Sequence, residues 1–155
     1  KRGMLISGGE PDTERAADFC RELFRSFGYE QISSSLAGGN GSVTGVRCND
    51  EHLIYNAALS LSFSDGVLTS ASGVFLSELK ESRRTDGIDA VSALVHFLDY
   101  CGASGVVCTE VSALESGYLL QSTSTSSLRL APVWRITTDV NNYYVNCKTG
   151  EITRE

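Results

Sequence analysis

The sequence predicts an α+β protein made of two helix-plus-antiparallel-sheet units, with the helices packed on one face of the sheet. Three observations carry this. Two amphipathic segments, 12–28 and 87–101, stand far apart in the chain. Runs rich in Val, Ser, Thr and Tyr fill most of the remainder, as β structure favours. Each half also closes on a hairpin with glycine in its turn, at Asp65-Gly66 and at Thr149-Gly150. The expected units are 1–80 and 81–155, each one helix with antiparallel strands, joined in one compact body. A lone helix covers only one sheet face, so two such units merge cores or share a sheet. The repeated order suggests duplication, although identity between the halves is slight.

The first helix reads from DTERAADFCRELFRSFG. Ala16, Phe19, Cys20, Leu23 and Phe27 fall on one face at spacings of three and four. Pro11 and Asp12 suit its start and Gly28 its stop. The second helix reads from GIDAVSALVHFLDYC, with Ile88, Val91, Leu94, Val95 and Leu98 as its stripe. Asp86 suits the N-cap and Gly102 the stop, and His96 lies opposite the stripe, towards solvent.

Strands are expected at 53–63 and 67–76 around Ser64-Asp65-Gly66. Five more follow the second helix, at 105–111, 117–124, 127–138, 143–147 and 151–154. The Gly-Gly-Asn-Gly run at 38–41 is a turn between early strands. It has no Walker lysine and no helix after it, so it does not fit a phosphate loop. Residues 121–127, QSTSTSS, fit a strand with one polar face or a loop.

Composition narrows the function. The chain of 155 residues carries a formal net charge of −6, which argues against nucleic acid and against a polybasic membrane site. Lys1-Arg2 and Arg83-Arg84 are its adjacent basic pairs. No apolar run is long enough to span a membrane. The opening at Lys1 suggests a fragment whose missing N-terminal segment could have been an anchor.

Catalytic patterns are absent from the sequence. The two histidines, His52 and His96, lie in no nucleophile elbow, and there is no GxSxG. Cys20, Cys48, Cys101, Cys108 and Cys147 show no CxxC spacing, and no zinc or calcium pattern can be written. Free, mostly buried thiols are expected, although an oxidising compartment would allow one disulfide. Cys101 falls at a helix C-terminus, where the dipole disfavours a thiolate. Asp50, Glu51, Glu110 and Glu115 read as solvated acids. Neither catalytic residues nor a metal or cofactor are expected.

The stretch 132–152 holds the only Trp and two adjacent Tyr. Alternation places Trp134 and Ile136 on one face, with Val133, Arg135 and Thr137 on the other. Tyr143, Val145 and Cys147 likewise alternate with Tyr144 and Asn146. Core packing is the expectation for Trp134. An exposed Tyr beside Arg135 would make a partner patch, giving Arg135, Tyr143 and Tyr144 as candidate partner-binding residues. Pro132 removes a ladder donor, so its strand is expected to be an edge or to begin there.

The order L-x-P-V-W-R-I, then Y-Y-V-N-x-x-T-G-E-I, within 130–152 resembles the end of YycI- and YycH-like proteins. FSDGVLTSASGVFL, IDAVSALVHFLDYC and ESGYLLQ resemble the same C-terminal region. The resemblance covers 63–155, while over 1–62 only element order matches. It implies an extracytoplasmic, non-catalytic regulator in Gram-positive bacteria, anchored by an N-terminal transmembrane helix. Its implied partners are the sensor histidine kinase of a two-component system and a sister membrane-anchored regulator. The related PepSY-type module ends in a similar aromatic strand and hairpin. It implies an alternative, a secreted or tethered peptidase-inhibitory domain.

Overall fold

The computed structural model describes residues 13–76, 87–122 and 128–155. Lys1, Arg2, Pro11, Asp12, Arg83, Arg84, Asp86 and 123–127, singled out above, lie outside the described residues. The elements are α1 (Thr13–Ser26), β1 (Tyr29–Ser34), β2 (Gly41–Asn49), β3 (His52–Ser64) and β4 (Val67–Gly73). They continue with α2 (Ala90–Ser104), β5 (Val111–Ser122), β6 (Leu128–Thr138), β7 (Asn142–Asn146) and β8 (Ile152–Arg154).

Among the described residues all eight strands belong to one sheet, ordered β1-β2-β3-β5-β6-β7-β8, with β4 paired to β3. This corrects the expected architecture of two helix-plus-antiparallel-sheet units. Local hairpin and helix signals do not encode which strands share a sheet. Every separate sheet also leaves two edges of unpaired N–H and C=O groups, so gathering strands into one sheet lowers that count. By contact density the chain divides between residues 79 and 80, and the two parts are described in turn.

In the first part α1 packs on β1 and β2. The core is Cys20, Phe24, Tyr29, Val43, Leu61 and Phe63, with Leu23, Ile32 and Leu59 against it. The buried face of α1 is therefore Ala16, Ala17, Cys20 and Phe24, while Phe19 and Phe27 are exposed. The expected face is rotated towards Phe24, because β2 offers that ring a place to lie. A Cβ at Gly45 would stand 3.0 Å from the Phe24 ring and 3.1 Å from the Tyr29 Cβ, so glycine permits the contact. The Tyr29 hydroxyl donates to the Val74 carbonyl at 2.7 Å and accepts from the Leu76 amide at 3.1 Å. Phe27 meets Phe75 edge-on at 5.3 Å.

Two-residue turns at Asp50-Glu51 and Asp65-Gly66 join β2 to β3 and β3 to β4. The Gly-Gly-Asn-Gly turn is tied to the second of these: the Asn40 side chain accepts from the Asp65 amide at 3.1 Å.

In the second part α2 lies against β6 and β7. Its core is Ala93, Phe97, Ile136, Tyr143 and Val145. The N-cap is Asp89, whose carboxylate accepts from the Ser92 amide at 2.8 Å, so the helix starts three residues later than expected. It also runs past Gly102 to Ser104. β5 is one strand of twelve residues where the sequence suggested two segments, and 105–110 form no strand.

β6 has neighbours on both sides, so the edge expected from Pro132 is also corrected. β7 pairs with β6 only from Val133 to Thr137. The Pro132 carbonyl accepts from the Cys147 amide at 2.9 Å, just beyond that ladder. A residue's N–H and C=O point to the same side of an antiparallel strand. The missing donor of Pro132 thus falls where β7 has ended.

Candidate functional site

Helix α2 and the strands beneath it carry the features from which a site can be built. Among the fifteen residues of α2, only His96 and Asp99 have ionisable polar side chains other than Tyr100 and Cys101. The helix is apolar over most of its circumference, so two stripes compete for burial. Ala93 and Phe97 win and are buried; Leu94, Tyr100 and Cys101 pack partly beside them. The reason is aromatic area. Phe97 stacks on Tyr143 with ring centroids 5.0 Å apart, and Tyr100 meets the same ring at 6.0 Å. Ala93 supplies the close approach that lets the helix settle.

The losing stripe faces solvent. Val91 is 71% exposed, Val95 53% and Leu98 66%. At i, i+4 and i+7 they form one line along the helix. This corrects the expected core stripe and supplies an apolar surface that sequence periodicity had assigned to the interior. Asp89 and Asp99, both exposed, flank the line, and α2 carries no lysine or arginine. The Asp89 carboxyl is held below the ordinary carboxylate range by the Ser92 amide hydrogen bond, so it is charged at neutral pH. His96 is exposed, beside the turn between β7 and β8: a Cβ at Gly150 would come within 3.0 Å of its ring.

The three expected partner-binding residues do not share one face. Arg135 pairs directly with Tyr144 across β7 and with Glu115 across β5, and its guanidinium lies 3.8 Å from the Glu115 carboxylate. Tyr143, one residue before Tyr144, points to the opposite face, into the α2 core. Tyr143 is 0% exposed and Tyr144 6%, so the expected exposed tyrosine surface is a buried one. Phe97 and Tyr100 cover Tyr143, and the Tyr144 hydroxyl donates to the Glu155 carboxylate at 3.2 Å. Trp134 is half-buried against the same core as Tyr143, and its indole N–H donates to the Ile88 carbonyl at 2.9 Å.

The loop after α2 is ordered by a second carboxylate. Asp139, in the turn between β6 and β7, accepts from the Thr109 hydroxyl at 2.6 Å and the Thr109 amide at 3.1 Å. The Thr109 hydroxyl chiefly, and then the Thr109 and Glu110 amides, hold its carboxyl below the ordinary range. Local pattern does not announce this contact, because its two ends are thirty residues apart.

Burial pushes the Cys20, Cys48 and Cys147 thiols up, which keeps them protonated at neutral pH. Cys101 is raised by burial and then by Cys108 beside it. Asp50, Glu51, Glu110 and Glu115 are exposed. Among the described residues no group of three or more His, Cys, Asp and Glu side chains could hold a metal ion. No helix among them is long and apolar enough to cross a membrane.

A solved structure, the Bacillus megaterium YpeB C-terminal domain, resembles this chain at 15% sequence identity and a TM-score of 0.49. The likeness covers 97% of this chain and 68% of that one. No protein-family model matches the chain. No curated protein matches it either.

Proposed function

We propose that the chain is a non-catalytic protein-binding module, PepSY-like and akin to the YycI/YycH-type regulators. Its partner in this reading is the extracytoplasmic part of a membrane sensor histidine kinase, whose signalling it tunes. The observation that carries the binding role is the exposed line Val91, Val95 and Leu98 on an ordered helix. Apolar side chains in line on a packed helix suit the helix-in-groove mode of recognition, read at i, i+4 and i+7. Asp89 and Asp99 beside the line, on a chain of net charge −6, select a partner groove that is apolar at its floor and basic at its rim. The resemblance of 130–152 to the YycI/YycH ending supports the regulatory role. Contact through Tyr143 and Tyr144 is set aside, since both rings are buried.

The test is binding of the purified chain to the purified extracytoplasmic domain of the kinase. The double variant Val95→Asp, Leu98→Asp is expected to bind about thirtyfold more weakly, the scale of a hot spot. Its far-UV circular dichroism should match that of the unsubstituted chain. Unchanged binding by a folded variant removes the stripe as the contact. Capture of a peptidase in place of a kinase transfers the reading to an inhibitory PepSY-type domain.

A further inference from the structure

The Gly-Gly-Asn-Gly turn carries an inference that goes beyond the binding role. Of the chain's asparagines, Asn40 alone precedes a glycine. An asparagine's side-chain carbonyl carbon lies within reach of the next residue's backbone nitrogen, and a following glycine has no side chain to block the approach. The fold requires that glycine. Gly41 adopts a φ of 130°, and an added Cβ would stand 2.3 Å from the Ser35 carbonyl oxygen. The backbone therefore places a reactive pair, Asn40-Gly41, in a turn where Asn40 is exposed.

The same turn restrains the pair. The Asn40 side-chain oxygen accepts from the Asp65 amide at 3.1 Å, and its side-chain nitrogen donates to the Gly38 carbonyl at 3.1 Å. The Gly66 amide donates to the Gly39 carbonyl at 2.9 Å, a second tie between the two turns. The Ser42 carbonyl points towards Ser35, whose amide it accepts at 2.8 Å. Adjacent residues of a strand direct their backbone groups to opposite sides, so the Gly41 amide faces β3, where its partner is Phe63. The electrophilic carbon is held by the turn at 65–66, and the nucleophilic nitrogen by the ladder.

We propose that Asn40 is a self-modification site, converted to aspartate and isoaspartate when the tied turns at 38–41 and 65–66 open. The Gly41 nitrogen attacks the Asn40 side-chain carbonyl carbon. The new C–N bond closes a succinimide ring, and the bond to the side-chain nitrogen breaks. That nitrogen leaves as ammonia with the proton given up by the Gly41 amide. Water then opens the ring at either carbonyl, so the chain takes up water, releases ammonia and undergoes no redox change. Opening at the side-chain carbonyl gives aspartate, which keeps an acceptor for the Asp65 amide but loses the donor to the Gly38 carbonyl. Opening at the main-chain carbonyl gives isoaspartate, which lengthens the backbone by a methylene just before β2.

The experiment incubates the full chain at mildly alkaline pH, folded and in denaturing urea. Each asparagine is followed by peptide mass mapping and isoaspartate methyltransferase labelling. In denaturing urea Asn40 is expected to convert first among the asparagines. In the folded chain its conversion should be about tenfold or more slower, as for a group that reacts only through local opening. Sub-denaturing urea should raise that rate in step with hydrogen exchange at the Asp65 amide. No conversion in denaturing urea, or conversion of another asparagine ahead of Asn40, overturns the site. Equal rates in the folded and unfolded chain, or a folded rate indifferent to exchange at Asp65, overturns control by the tied turns.

Discussion

Residue identity set the character of Asp139, but its effect comes from where a distant turn places it. The hydroxyl and amide of Thr109 favour its charged form, so its pKa is lower in the folded chain than in the unfolded one. The sign follows. The contribution is full above the unfolded carboxylate pKa and is lost as pH falls through the depressed folded value. Asp139→Asn should therefore lower the thermal midpoint at neutral pH. The gap between variant and unsubstituted chain should close as pH drops below the carboxylate range, measured by thermal melts across pH. A gap that stays constant shows that the charge is not what Thr109 rewards. Arg135, Tyr143 and Tyr144 teach the complementary point. Alternation along β7 was legible and correctly separated Tyr143 from Tyr144. Burial was not legible, because it depends on Phe97 and Tyr100 for one ring and on Glu155 for the hydroxyl of the other.

Helix α2 is the element whose existence was clear and whose orientation was not. An apolar segment with few polar residues leaves periodicity without contrast, since 91/95/98 and 93/97/100/101 both satisfy helical spacing. The aromatic content of the second stripe was the available signal, because Phe and Tyr bury more area than Val. The same lesson holds for α1, where Phe24 is buried and Phe27 pairs at the surface with Phe75. The orientation of α2 yields a sharp contrast. Phe97→Ala removes a fully buried ring and should cost about 3–5 kcal/mol. Val95→Ser removes an exposed side chain and should cost about 0.5 kcal/mol or less. Chemical denaturation of both variants checks this. Equal costs would mean that the helix sits with its other stripe inward.

For the whole molecule, turns were legible and sheet membership was not. Asp65-Gly66 and the glycine turn at 150 follow from local backbone chemistry. Joining eight strands into one sheet depends on partners far apart in sequence. β6 illustrates the consequence. Pro132 suggested an edge, yet the strand is bonded on both sides, and residues on both of its faces are buried: Ile136 on one, Val133 on the other. Opening such a strand exposes two ladders and two apolar faces together, so its amides should report the slowest local unfolding. β8, by contrast, is three residues long and, among the described strands, hydrogen-bonded to β7 alone, with two of its residues exposed. Hydrogen exchange on the full chain is therefore expected to rank amides within 133–137 as the most protected of residues 128–155. Those of 152–154 should be the least protected of the strand amides there. Reversal of that order would place β6 at an edge after all and return Pro132 to the role its chemistry first suggested.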